Sequence, residues 1–194
     1  MGSRIMHYCI TTRLGEAMEI DDPQFWLGGI APDVHKHMQE PKAKSHFGSL
    51  NSQGLMYSDY EAFGAKYFRD RIHPFHLGYY YHLISDQLWL EAVYYPLIKW
   101  LPQPRKKIAQ ESYYRDFGRL NGRLIDHYGL KLASLEVLPV EIDEIDYRYL
   151  PALIQDLVHD FESKDEHQDE PLELLEWNQV IHILDRTVQV CLKR

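Results

Sequence analysis

Cysteine is almost absent from this sequence: Cys9 and Cys191 are the only two in 194 residues. Two thiols exclude a disulfide framework and a thiolate metal cluster, so each is expected as a small buried apolar residue. Long apolar runs are missing too. No stretch approaches the roughly 20 residues that span a bilayer, and mean hydropathy is −0.43. Ile5-Met6 breaks at His7, before a signal-peptide core of about 7–15 apolar residues can form. The expectation is a cytoplasmic protein without a transmembrane segment. A basic stripe interleaved with aromatics is also lacking, Arg105-Lys106-Lys107 being the one basic cluster, which leaves nucleic-acid binding without support.

What is present is a hydrophobic fraction of 45% and an aromatic fraction of 13%, too high for a disordered chain and sufficient for one core at this length. The formal charge of −8 is unevenly spread. Residues 136–176 hold 14 acidic side chains against only Arg148 and Lys164, a local balance of −12, whereas residues 1–135 balance at +2. Eight of the 11 histidines lie before residue 136. Imidazole is the commonest metal ligand and the usual near-neutral acid or base, so chemistry is expected in the first two-thirds.

Periodicity is helical nearly throughout. Ser3 suits an N-cap for a helix over 4–18, and Asp22-Pro23 opens a short helix that Gly28-Gly29 is expected to end or loosen. Periodicity vanishes from Pro32 to Gln53, which reads as a long functional loop. Ser58-Asp59-Tyr60-Glu61 starts a helix to about Arg71, and Pro74 opens a central buried helix from Phe75 to about Tyr95. Pro96, Pro102 and Pro104 break the pattern. A helix follows from Arg105 to Tyr128 with Gly129 as its stop, then one at 151–162, a polar loop at 163–170, and a last amphipathic helix at 172–192. With no repeat and few alternating runs, the reading is an all-α single-domain helical bundle over 1–194, with a metal-site region at about 4–128 and an acidic helical part at about 136–194.

His82-Leu83-Ile84-Ser85-Asp86 is the strongest local signal. Residues i and i+4 share a helix face, so imidazole and carboxylate can grip one cation or form a surface ion pair. The setting among Leu77, Tyr79–Tyr81, Leu83, Ile84, Leu88 and Trp89 calls for burial, and a buried carboxylate needs a metal or a histidinium. Asp33 follows Pro32 at the mouth of the long loop, as a fixed ligand or a simple Pro-Asp turn. His46 stands between Ser45 and Phe47, and His7 precedes Thr11 by one turn.

Leu27–Asp33, Ser45-His46 and Phe75–Asp86 (FHLGYYYHLISD) together resemble the zinc-dependent phospholipase C family, which shares an all-α fold and a zinc cluster with S1/P1-type nucleases. The likeness is to short cytoplasmic Gram-positive bacterial members labelled as hydrolases, and it covers residues 4–128. It implies that Asp33, His46, His82 and Asp86 hold one zinc and that His7 and Asp86 contribute to a second. It also implies that Asp33 accepts the proton of a metal-activated water. Two imidazoles and two carboxylates suit zinc, or iron or manganese at higher coordination number.

A further zinc of the family is held by a lone histidine after the His-x-x-x-Asp and by a later His-x-x-x-Glu. Glu91 and Ala92 stand near the first of these, and the second is missing. One or two metals are therefore expected, with Asp116 as a replacement ligand or, alternatively, a helix-surface partner of Arg115 or Arg119. The functional reading is hydrolysis of a small phosphoester. The competing readings are a non-catalytic metal-binding or interaction protein of the same fold and, from His159-Asp160, an HD-type phosphohydrolase. His35 and His37 read as exposed loop histidines or helpers of a second metal, and His76 as a residue lining the site. Arg115, Arg119 and Arg123 read as a solvated face or a substrate-facing one. The sequence carries no signal for oligomeric state.

Overall fold

Ser3 Oγ accepts from the Met6 amide and starts α1 (Arg4–Ala17), and Asp22 caps α2 (Pro23–Ile30) through the Gln24 amide with Pro23 in the first turn. The structure, a computed structural model, describes residues 2–69 and 71–194. Gly28 and Gly29 do not end α2. A Cβ at Gly28 would overlap the Phe75 carbonyl oxygen, one at Gly29 would overlap Thr11 Oγ1, and one at Gly78 would overlap the Phe25 carbonyl oxygen. These glycines therefore let α2 sit backbone to backbone on α6 (Pro74–Trp89) and against α1.

The expected long loop is mostly helical turns. A tight 3₁₀ turn Ala31–Val34 leads into α3 (His35–Met38) and α4 (Lys42–Ser45), and β1 (Gly48–Leu50) pairs antiparallel with β2 (Met56–Ser58). Pieces of one turn have no readable period, and Gln39 in the left-handed region separates two of them. Next comes α5 (Tyr60–Tyr67), capped by Asp59 and shorter than expected; Asp70, within the expected helix, lies outside the described residues. Pro74 opens α6, as expected. The helix then continues as a wider π-type segment, Leu90–Lys99, which accommodates Pro96 rather than breaking at it.

Next is α7 (Arg105–Tyr128), closed by Gly129 at φ +59°. Residues 130–146 run without helix, pinned by side chains: Tyr8 bonds Lys131 O and Ala133 N, Gln24 donates to Glu136 O, and His76 bonds Glu141 O. Finally, α8 (Leu150–Glu162) and α9 (Trp177–Cys191) pack on one apolar cluster that reaches from Ile5 to Cys191. Both cysteines are buried in it as free thiols. The fold is all-α apart from the hairpin, and no described helix is long and apolar enough to cross a membrane.

The acidic third is bonded to the basic side chains of the rest. Arg4 meets Asp156 and Asp160, Arg119 meets Glu170 and Glu173, Arg115 meets Glu173, and Arg123 donates to the Gln168 and Glu170 carbonyls. Arg115, Arg119 and Arg123 are thus engaged by the fold itself.

Candidate metal centre

The crossing of α1, α2, α4 and α6 assembles the residues singled out above. His7 comes from α1, Asp33 from the turn after α2, His46 from the end of α4, and His82 and Asp86 from one face of α6. His7 Nε2 lies 3.2 Å from Asp86 Oδ1. His46 Nε2 lies 3.4 Å from Asp33 Oδ1 and 3.6 Å from Asp86 Oδ2, and His82 Nε2 faces His46 Nε2 at 3.3 Å. Ligand atoms fall within 4.8 Å of one another in the sets His7/Asp33/His82, Asp33/His35/His46 and His46/His82/Asp86.

Each imidazole is fixed by its outer nitrogen. His82 Nδ1 is 2.8 Å from the Gly29 carbonyl, which only accepts, so that nitrogen carries the proton. His46 Nδ1 faces the Lys42 carbonyl at 3.1 Å and Ser45 Oγ at 2.8 Å, and the Ser45 hydroxyl gives its own proton to Pro32 O. His7 Nδ1 is 2.8 Å from Ser85 Oγ, whose proton goes to His82 O. All three neutral rings therefore turn an Nε2 lone pair inward, toward one another and toward two carboxylates. His7 Nε2 is buried without a hydrogen-bond partner, a cost of about 1–3 kcal/mol. Tyr79 donates to Ser45 O and holds the end of α4 on α6.

Such an arrangement is frustrated unless a cation occupies it. Protons do so poorly, because burial drives His82 down to about 3. Burial and His82 hold His7 well below its usual range, and burial and Lys42 do the same for His46. For Asp33 burial alone would raise the pKa, but His46 and the Lys42 ammonium outweigh it and keep the carboxyl well below the carboxylate range. Neutral imidazoles with ionised carboxylate are the donor set that zinc takes, and their outer hydrogen bonds fix both tautomer and direction.

Lys42 and His35 join the site. Lys42 Nζ is 3.2 Å from Asp86 Oδ2, and the His35 ring meets the His46 ring edge-on at 5.3 Å. Nothing in the sequence singles out Lys42; the only signal for it is its place four residues before His46. A cavity of about 350 Å³ opens over Asp33, His35 and Lys42 and reaches Arg4 and Tyr114. Asp33 is 14% exposed toward it, whereas Asp86 is 1% exposed.

Asp116 does not join these groups. Its buried carboxylate accepts from the amides of Glu173, Leu174 and Leu175 at 2.8–3.1 Å and from Arg119 at 3.1 Å, so it is a structural acceptor rather than a replacement ligand. Those captured amides also explain why the last helix starts at Trp177 rather than 172. His37 bonds Asp156, and His76 is tied to Glu141 O, away from the site. Asp160 is paired with Arg4 and His159 is exposed, so the HD-type pair assembles nothing. A larger depression, about 1010 Å³, lies along residues 139–148 and holds none of the three ligand sets.

Comparison with family models, with curated proteins and with solved structures gives no match for this chain.

Proposed function

We propose that this chain is a metal-dependent hydrolase of small phosphoesters, with a fold of the phospholipase C and P1 nuclease kind and zinc as its metal. One observation carries the reading: the three inward Nε2 lone pairs of His7, His46 and His82, fixed by Ser85, Lys42 O with Ser45, and Gly29 O, beside the carboxylates of Asp33 and Asp86. His46, His82, Asp33 and Asp86 would hold one ion, and His7 with Asp86 would begin a second position. Zinc in this setting supplies Lewis acidity toward a phosphoryl oxygen and lowers the pKa of water to near 7.

The residues then have separate tasks. Asp33, the carboxylate that reaches the cavity, accepts the proton of the attacking water. Asp86, enclosed by α1 and α6, lies against His7 and His46. Gly29 O, Ser45 and Ser85 hold the rings in one tautomer, so the imidazoles need not reorient to act as ligands. The cavity volume admits a small phosphoester, and its walls carry Lys36 and Lys42 for an anionic group.

Elemental analysis of purified protein tests the metal, with at least one transition-metal ion per chain expected and Asp86→Ala expected to lose it. A metal-free wild-type chain would sink the reading. A panel of phosphomonoesters and phosphodiesters with and without chelator then tests turnover. Metal without any chelator-sensitive hydrolysis would favour a metal-holding scaffold instead.

A further inference from the structure

Lys42 stands in the first turn of α4, and its ammonium reaches both carboxylates of the centre, 3.2 Å from Asp86 Oδ2 and 3.9 Å from Asp33 Oδ1. Its main chain is tied to the same centre, because its carbonyl accepts from His46 Nδ1 at 3.1 Å. The stem enters from the cavity side and is 37% exposed, so the charged end has room to swing while the backbone stays fixed. A divalent ion arriving between Asp33 and Asp86 takes the charge that the ammonium balances and repels it. The space left for Nζ is the cavity, where Arg4 is already held by Asp156 and Asp160.

We propose that Lys42 is a tethered cation, neutralising the Asp33–Asp86 pair in the metal-free protein and turning into the cavity to bind the anionic oxygen of a phosphoester once a metal is held there. This rests on the metal reading above and adds to it. The chain thereby supplies a positive charge beside the metal through a side chain. Phosphoester substrates with an unesterified oxyanion are the class this favours.

Calorimetric titration of apo protein with Zn²⁺, followed by inorganic phosphate on the loaded protein, tests the idea in wild type, Lys42→Met and Lys42→Gln. Removing a competing and then repelling charge should tighten zinc about tenfold, while loss of the ammonium should weaken phosphate about tenfold or more. Lys42→Arg should keep phosphate affinity within about threefold, since the charge remains. Opposite signs from one substitution are what a merely structural lysine cannot give. Zinc and phosphate affinities that fall together, or a phosphate affinity unmoved in both neutral variants, would overturn the role of Lys42 alone. A wild-type chain that binds no zinc overturns this proposal together with the metal reading.

Discussion

The Nε2 atoms of His46 and His82 face each other at 3.3 Å, and both rings have their proton committed to a carbonyl on the far side, His46 to Lys42 O and His82 to Gly29 O. Two lone pairs aimed at one point repel each other, and a cation between them relieves that repulsion. Zinc should therefore stabilise the fold by mass action, by about 2.7 kcal/mol at a free concentration one hundred times the Kd. For a chain of this size that is a rise in Tm of about 5–10 °C. His82→Ala should abolish the rise, and a wild-type Tm indifferent to zinc would refute the inference.

Acid should destabilise the metal-free protein early. His7, His46 and His82 are neutral in the fold, with pKa values depressed by burial and, for His82, down to about 3. Above the unfolded value of about 6.5 neither state binds these protons and nothing is lost. Below it the unfolded imidazoles protonate while the folded ones do not, so stability falls by up to about 1.4 kcal/mol per pH unit for each ring. Asp33, whose folded pKa is lowered, adds a further loss only below about 4. Urea midpoints at pH 7.5 and 5 should differ clearly in wild type and less in His82→Gln; equal midpoints in wild type would contradict the assignment.

Two glycine substitutions should act in opposite directions. Gly78→Ala forces a methyl into the Phe25 carbonyl and must part α6 from α2, costing about 1–3 kcal/mol or more. Because the same crossing sets Gly29 O against His82 Nδ1, zinc affinity should fall as well. Gly118 lies in α7 with nothing near its Cβ position; Gly118→Ala should stabilise by about 0.5–1 kcal/mol and leave zinc binding alone. Denaturant titrations of both variants separate close approach from mere helix propensity.

How much was legible in sequence follows from the range of each signal. Ser3, Asp22, Pro74 and Gly129 act on their own helix ends, and they mark the observed boundaries. His82 and Asp86 were legible as a pair because one helix turn alone relates them. Gly28-Gly29 was misread as a helix end because its role is set by Phe75 and Thr11, which are distant in sequence. In sequence Asp116 is open between a ligand and a partner of Arg119; it meets Arg119, and the amides that also occupy it lie 57–59 residues away, beyond any local signal. Lys42 carried no pattern of its own, and its meaning comes only from the two carboxylates that folding brings to it.

Asp116→Asn separates the two roles considered for that residue. An amide keeps one acceptor oxygen but cannot take the three backbone N–H groups and Arg119 together, and breaking a buried charge network of this kind costs about 3–5 kcal/mol. Zinc content of the folded variant should be unchanged. A stable protein with reduced zinc would restore Asp116 as a ligand.

Ser85→Ala tests whether the tautomer is imposed by the protein. The Ser85 hydroxyl gives its proton to His82 O and accepts from His7 Nδ1, and this keeps His7 Nε2 bare beside Asp86 Oδ1 at 3.2 Å. Without the hydroxyl the ring is free to move its proton to Nε2 and, by a slight turn, donate it to Asp86. The metal-free fold then gains a hydrogen bond where it had two facing acceptors, while zinc must displace a proton to enter. The expected result is an apo stability equal to or above wild type, since alanine is also the better helix residue, combined with zinc binding about 10–100-fold weaker. A loss of apo stability with zinc affinity unchanged would mean that Ser85 serves packing alone and that His7 selects its tautomer unaided.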